Sequence, residues 1–180
     1  MKKIIPFVIV LMVSSCAPNQ NVNNFKKKKN TRDSYLITLP NDWETYKIPF
    51  HGKIHSPILN LKNISKNIKT FLDISTVYLK NQKFEFVINR DIKFLQEGLV
   101  DFQYQIIKTK HKTYGNSYVL RYSTKESESL NKKHIVFYLK KDDIVYCIYF
   151  ESLEENFNYY IKDVENIIQS FKVNKDYRPR

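Results

Sequence analysis

Two neighbouring stretches, "KHIVFYLK" and "IVYCIYFES", are apolar on both of their alternating faces. In a strand, residues two apart share a face. Ile135, Phe137 and Leu139 alternate with Val136 and Tyr138, and Ile144, Tyr146, Ile148 and Phe150 alternate with Val145, Cys147 and Tyr149. A strand that is apolar on both faces has to be covered from both sides. The intervening "KKDD" is a hairpin turn. The chain is therefore expected to hold a sheet with this hairpin at its centre and a layer on each face.

The covering layers are legible as helices. Phe157, Tyr160, Ile161, Val164, Ile167, Ile168 and Phe171 recur at spacings of three and four, which predicts an amphipathic helix over residues 154–171. Phe84, Ile88, Ile92, Leu95 and Leu99 do the same over the middle of the chain. Asn81 is placed to cap that helix, and Gly98 to end it in a left-handed conformation. "SYLITLP" reads as a strand that stops at Pro40, with Trp43 just past the turn. Residues 59–61 suggest a short strand, and "KTFLDISTVYL" a longer one rich in β-branched and aromatic residues. "DFQYQIIKTKHKTYG" and "NSYVLRYST" are strands on either side of Gly115. The order is strand, short strands, helix, four strands, helix. Short loops between consecutive strands imply antiparallel pairing. The expected fold class is α+β, an antiparallel sheet sandwiched between helices.

Three of these stretches carry a family likeness. "YLITLPNDWETY" resembles the opening strand and Pro-x-x-Trp turn of the PsbP-like, or Mog-like, fold family. "YGNSYVLRYSTK" resembles its Gly-centred hairpin. "IVYCIYFESLEENFNYYIKDVENIIQSFKV" resembles its last strand, final helix and closing Ile-x-x-Ser-Phe. With the middle helix the likeness spans most of residues 34–173, while "KIHSPILNLKNISKN" departs from the pattern. The resemblance implies a fold and a role in binding. Members include extrinsic photosystem subunits, a Ran-binding transport factor and bacterial lipoproteins.

The N-terminus carries an address. Lys2 and Lys3 precede the apolar run Ile4 to Val13, which is too short to span a bilayer but has the length of a signal h-region. Val13-Ser14-Ser15-Cys16 resembles the bacterial lipobox, in which the cysteine thiol receives a diacylglycerol and the chain is cut just before it. The expected organisation is a signal peptide at 1–15, a lipidated Cys16 opening a basic tether at 16–33, the α+β domain at 34–174, and a tail at 175–180. The tether "APNQNVNNFKKKKNTRD" has no apolar periodicity. Its lysines, Lys26 to Lys29, either lie on anionic headgroups or simply keep a linker solvated. Ala17-Pro18 form no acidic retention signal, which favours an outer-membrane position facing the periplasm.

Chemistry is sparse. The chain has 30 Lys+Arg against 18 Asp+Glu, but much of the excess sits in the tether, and no nucleic-acid partner is implied. Its three glycines, Gly52, Gly98 and Gly115, spell no phosphate-binding loop and no nucleophile elbow. His51 and His55 are four apart, but Gly52, Pro49 and Pro57 argue against a helix that would aim both at a metal; surface histidines are expected. His111 and His134 are isolated strand residues. Lys141 to Asp143 form a turn rather than a metal site. Cys147 reads as a small core residue. No cofactor, metal or catalytic residue is nominated.

The best candidate contact in the domain is Lys108, Lys110 and Lys112, placed by alternation on one strand face, either to meet a polyanion or partner or to guard a sheet edge. The leading expectation is a non-catalytic envelope lipoprotein that binds another protein of unknown identity. The alternatives are a small-ligand carrier or enzyme with a pocket between sheet and helices, and an envelope-maintenance protein acting by lipid contact. Replacing Cys16 by Ser is expected to abolish labelling with a palmitate analogue and release the protein from membranes; labelling that persists overturns the lipobox reading.

Overall fold

A computed structural model describes residues 25–27, 34–48, 52–58, 70–100, 102–127 and 130–175. Cys16, His51 and residues 59–61 lie outside them. The elements are β1 (Phe25–Lys27), β2 (Tyr35–Leu36), β3 (Thr38–Pro40), β4 (Trp43–Ile48), β5 (Gly52–Pro57), β6 (Thr70–Tyr78), α1 (Phe84–Gly98), β7 (Tyr104–His111), β8 (Gly115–Ser127), β9 (Leu130–Lys141), β10 (Ile144–Leu153), α2 (Glu154–Ser170) and β11 (Lys172–Val173).

Seven strands form one sheet in the order β4-β5-β6-β10-β9-β8-β7, with every neighbouring pair antiparallel. β9 and β10 are central, as their two apolar faces require. The turn at Asp142–Asp143 sets the hairpin register, pairing Lys141 with Ile144 and, further along, His134 with Glu151. Asp142 has φ +54, a conformation that Asp tolerates.

Each face has its own core. On one, α1 buries Phe84, Val87, Ile88 and Ile92 against Leu120, Val136, Tyr138, Val145 and Cys147. On the other, α2 buries Tyr160, Val164, Ile167 and Ile168 against Leu72, Tyr146, Ile148 and Phe150. Tyr35, Ile37, Leu39 and Trp43 complete this second core. Trp43 meets Tyr160 edge-to-face with ring centroids 6.1 Å apart.

Three local expectations are corrected. Asn81 does not cap α1, because Lys83 holds that position without a side-chain bond. Instead Lys80 and Asn81, at φ +45 and +71, form the centre of a tight turn closed by the Gln82 N–H on the Leu79 carbonyl at 2.7 Å. Asn is used there for its tolerance of left-handed backbone. Gly98 does not end the helix in that conformation either. Leu99 follows in extended geometry, and its N–H still reaches the Leu95 carbonyl at 2.9 Å. The stretch that departs from the family pattern contains a regular strand, β5, paired with β4 and β6. Ahead of the main sheet, β1 pairs with β3, Lys26 opposite Leu39.

The first and last segments of the domain are joined by a strand that periodicity cannot reveal. β11 pairs with β2, and the Asn174 N–H donates to the Ser34 carbonyl at 2.9 Å. Phe171 stacks on Tyr35 beside this contact.

Ile148 has no exposed surface at the centre of the second core. Ile148→Ala is expected to cost about 2–5 kcal/mol by lost burial and a residual cavity, measured by urea unfolding. Gly115 has φ +71 with open space where a Cβ would sit. Gly115→Ala is therefore expected to cost only the backbone strain, about 1–2 kcal/mol.

Candidate functional site

The described histidines are all built into the structure. His134 is buried, 5% exposed, on the α1 side of β9. Its Nδ1 is 2.7 Å from the Tyr149 hydroxyl and its Nε2 2.7 Å from Thr124 Oγ1. Tyr149 donates its proton to Glu151 Oε2 at 2.6 Å, so His134 must donate from Nδ1 to the phenol oxygen. Lys132 pairs with the other oxygen of Glu151 at 2.6 Å. The His134 ring lies flat on Tyr122, 4.4 Å between centroids and 7° apart. Burial pushes the Tyr122 phenol up to about 12 and raises that of Tyr149 further. The geometry is that of a satisfied polar staple across β8, β9 and β10.

His55 is not a surface histidine, which corrects the sequence expectation. It is 4% exposed, with Nδ1 2.9 Å from Thr45 Oγ1 and Nε2 3.2 Å from the Tyr35 hydroxyl. Alternation along β5 turns it under α2's side of the sheet, opposite Leu72 of β6. His111 is equally enclosed. Its Nε2 donates to the Ile168 carbonyl at 3.0 Å, so Nδ1 is free to accept from the N–H groups of Thr113 and Tyr114. It ties the β7–β8 turn to the end of α2. Among the described residues no group of three or more His, Cys, Asp or Glu is placed to hold a metal. Cys147 is a buried core residue, and burial first pushes its thiol up to about 12.

The lysine candidates sit where β7 forms one edge of the sheet. Lys108 and Lys110 alternate onto one side of β7, but the strand stops at His111 and Lys112 belongs to the turn beyond it. Lys108 lies over the Tyr118 ring at 5.8 Å, near the start of α1. Tyr118 donates to Glu85 at 2.7 Å, and that bond holds the Glu85 carboxyl below its usual range. Lys110 and Lys112 are exposed.

An open groove lies on the α2 face. A seven-stranded sheet is roughly 30 Å wide at about 4.8 Å per strand, and one helix covers about 10–12 Å of it. On one flank β2, β3 and Trp43 fill the remainder. On the other, Ser117 and Val119 of β8 and the end of β7 at His111 are buried, while Thr109 and Arg121 stay exposed. Two adjoining cavities open there, of about 370 and 630 Å³. The first has Val119, Phe137 and Ile168 on its floor and Glu165 and Gln169 on its α2 wall. The second is lined by Gln103, Gln105, Lys133 and Phe157. Arg121 lines both. Lys133 is held by Glu154 at 3.0 Å and lies over the Phe157 ring. Arg121 is exposed and has no hydrogen-bond or ion-pair partner among the described residues. Sequence reasoning missed it, because alternation along "NSYVLRYST" shows which residues share a face but not which face α2 leaves open.

The layer order, sheet topology and chain path can be set against solved structures. PsbP (CyanoP) of Synechocystis sp. PCC 6803 superposes with a TM-score of 0.56 over 89% of this chain and 98% of its own, at 12% identity. The fold is the PsbP-like, or Mog-like, fold. The Ran-binding protein Mog1p of Saccharomyces cerevisiae shares the PsbP-like architecture with a TM-score of 0.56, at 8% identity over 84% of this chain and 96% of its own. LpqN, described as involved in cell envelope biogenesis of Mycobacterium tuberculosis, matches with a TM-score of 0.55 at 9% identity, over 77% of this chain and 82% of its own. No protein-family profile and no curated protein matches the sequence. In this PsbP-like domain no helix among the described residues is long and apolar enough to cross a membrane.

A thiol whose folded pKa is raised stays protonated at neutral pH. Cys147 is therefore expected to resist a maleimide in the native protein at pH 8 and to react at once in urea. The stability that Cys147 and Tyr122 lend as neutral groups is complete below their unfolded pKa values. It is expected to fall as pH rises from about 9 towards 12, followed by tyrosinate absorbance and loss of near-ultraviolet circular dichroism.

Proposed function

We propose that this chain is a cell-envelope lipoprotein, anchored through a diacylglycerol on Cys16, whose PsbP-like domain binds another protein and performs no chemistry of its own. One observation carries the binding role. Among the described residues the histidines and the cysteine, His55, His111, His134 and Cys147, are buried inside the domain, while the polar groups of the α2 groove face outward. A general base has to reach a substrate proton at hydrogen-bond distance, and both ring nitrogens of each described histidine already hold a protein partner. The likeness to LpqN and to Mog1p, whose descriptions name cell-envelope biogenesis and Ran binding, supports an envelope setting and a binding role.

The tether completes the reading. Lys26 to Lys29 sit close behind the acyl anchor and add attraction to anionic headgroups, about 1 kcal/mol per lysine near the surface. Exposed Lys110 and Lys112 extend the positive charge at the β7 edge. A small-ligand carrier is the second reading, because both cavities fall in the size range of small-molecule sites.

The full chain, cross-linked in cells and recovered from membranes, is expected to carry one specific protein partner across several growth conditions. Recovery of none, with a bound metabolite instead, favours the carrier.

A further inference from the structure

We propose that the groove between α2 and the β7–β8 flank receives an extended, acidic segment of the partner, with one of its carboxylates on Arg121. This rests on the protein-binding reading and names the site and the chemistry of what it binds.

The first argument is charge. Arg121 stands where the two cavities meet, and its guanidinium is unpaired among the described residues. A guanidinium offers five donors in a planar fork that matches a carboxylate in two parallel bonds. Lys133 lines the Phe157 end but is already paired with Glu154, so Arg121 carries the charge argument. Among the described residues Glu165 is the one carboxylate lining either cavity, and Lys110 lines the same cavity. An occupant is thus favoured to carry an acidic residue at its centre, on Arg121.

The second argument is length. The groove runs beside α2 from Phe157 to Gln169. At a rise of 1.5 Å per residue that is about 18 Å. An extended chain advances about 3.3 Å per residue, so the groove holds roughly five residues, whereas a small anion fills only the part around Arg121.

The third is the lining. Side-chain amides from both walls, among them Gln103, Gln105, Asn166 and Gln169, flank a floor of Val119 and Phe137. Each amide both donates and accepts, as a peptide backbone does. Of that floor Phe137 is half-buried and offers apolar surface to a side chain of the same segment. Lysine-edged β7, by contrast, is poorly suited to strand addition along its rim.

The test is selection of a random heptapeptide display library on the full-length chain in detergent micelles. The best sequence is then made with a fluorescent label and titrated by anisotropy. Enriched sequences are expected to be acidic. Arg121→Glu is expected to weaken binding of the labelled peptide by at least about ten-fold, the size of one charge-assisted contact. Arg121→Lys should restore much of that loss, and Glu165→Lys should tighten binding. Circular dichroism of each variant checks the fold, which exposed positions should leave intact. Neutral or basic winners, no winners, or equal binding by wild type and Arg121→Glu overturns the proposal. So does inorganic phosphate alone displacing the peptide at comparable occupancy, which reassigns the groove to small anions. The two readings fail separately: a partner captured from membranes and kept by Arg121→Glu removes the groove but not protein binding, and capture of nothing removes protein binding itself.

Discussion

Everything in this domain depends on a hairpin that cannot face water on either side. β9 and β10 put Val136, Tyr138, Val145 and Cys147 on one face and Leu139, Tyr146, Ile148 and Phe150 on the other. Leaving either face bare would expose several large side chains, each worth about 1.5–3 kcal/mol when buried. The chain supplies one helix for each face, α1 before β7 and α2 after β10. The three-layer sandwich is the arrangement in which both helices can bury their stripes against the same two strands.

One helix is narrower than the sheet it covers, and that mismatch shapes the rest. On the α2 face the N-terminal residues Tyr35, Ile37, Leu39 and Trp43 close one flank, locked by β11 against β2 and by Phe171 on Tyr35. The other flank stays open as the groove lined by Arg121. The polar residues that the sheet does bury are turned to fastening. His111 joins a turn to α2, His55 joins β4 and β5 to Tyr35, and His134 joins β8 to β10 through Thr124, Tyr149 and Glu151. A buried polar group without a partner is costly, so each such histidine demands a specific neighbour and helps hold a single strand register.

How much of this was legible depends on the range of the interaction. The central hairpin and its register follow from alternation and a two-residue turn, and from that register alone His134 and Glu151 could have been placed opposite each other. The stripe of α2 was read almost residue for residue, with Phe157 and Ile161 only partly buried at its margin. The end signals of α1 were misread because Asn and Gly serve turns as well as caps, and the local sequence does not say which. Alternation accounts for Lys108 and Lys110 on one side of β7 and says nothing of Lys112, because the strand ends at His111. His55 was misplaced because the burial of β5 comes from β2 and α2, distant in sequence.

The sequence by itself determined the sheet's centre, the two helices and the layered class, because these rest on periodicities of two and 3.6 that local residues impose. The lipobox-like stretch Val13-Ser14-Ser15-Cys16 is likewise a local pattern, read from four adjacent residues. Only the tertiary structure decided which of the described histidines are enclosed, how β2 and β11 meet, and that Arg121 lies on an open flank, unpaired among the described residues. Those outcomes depend on which segments come to rest side by side. That is set by the width of a sheet against the width of a helix, and no local pattern in the chain records it.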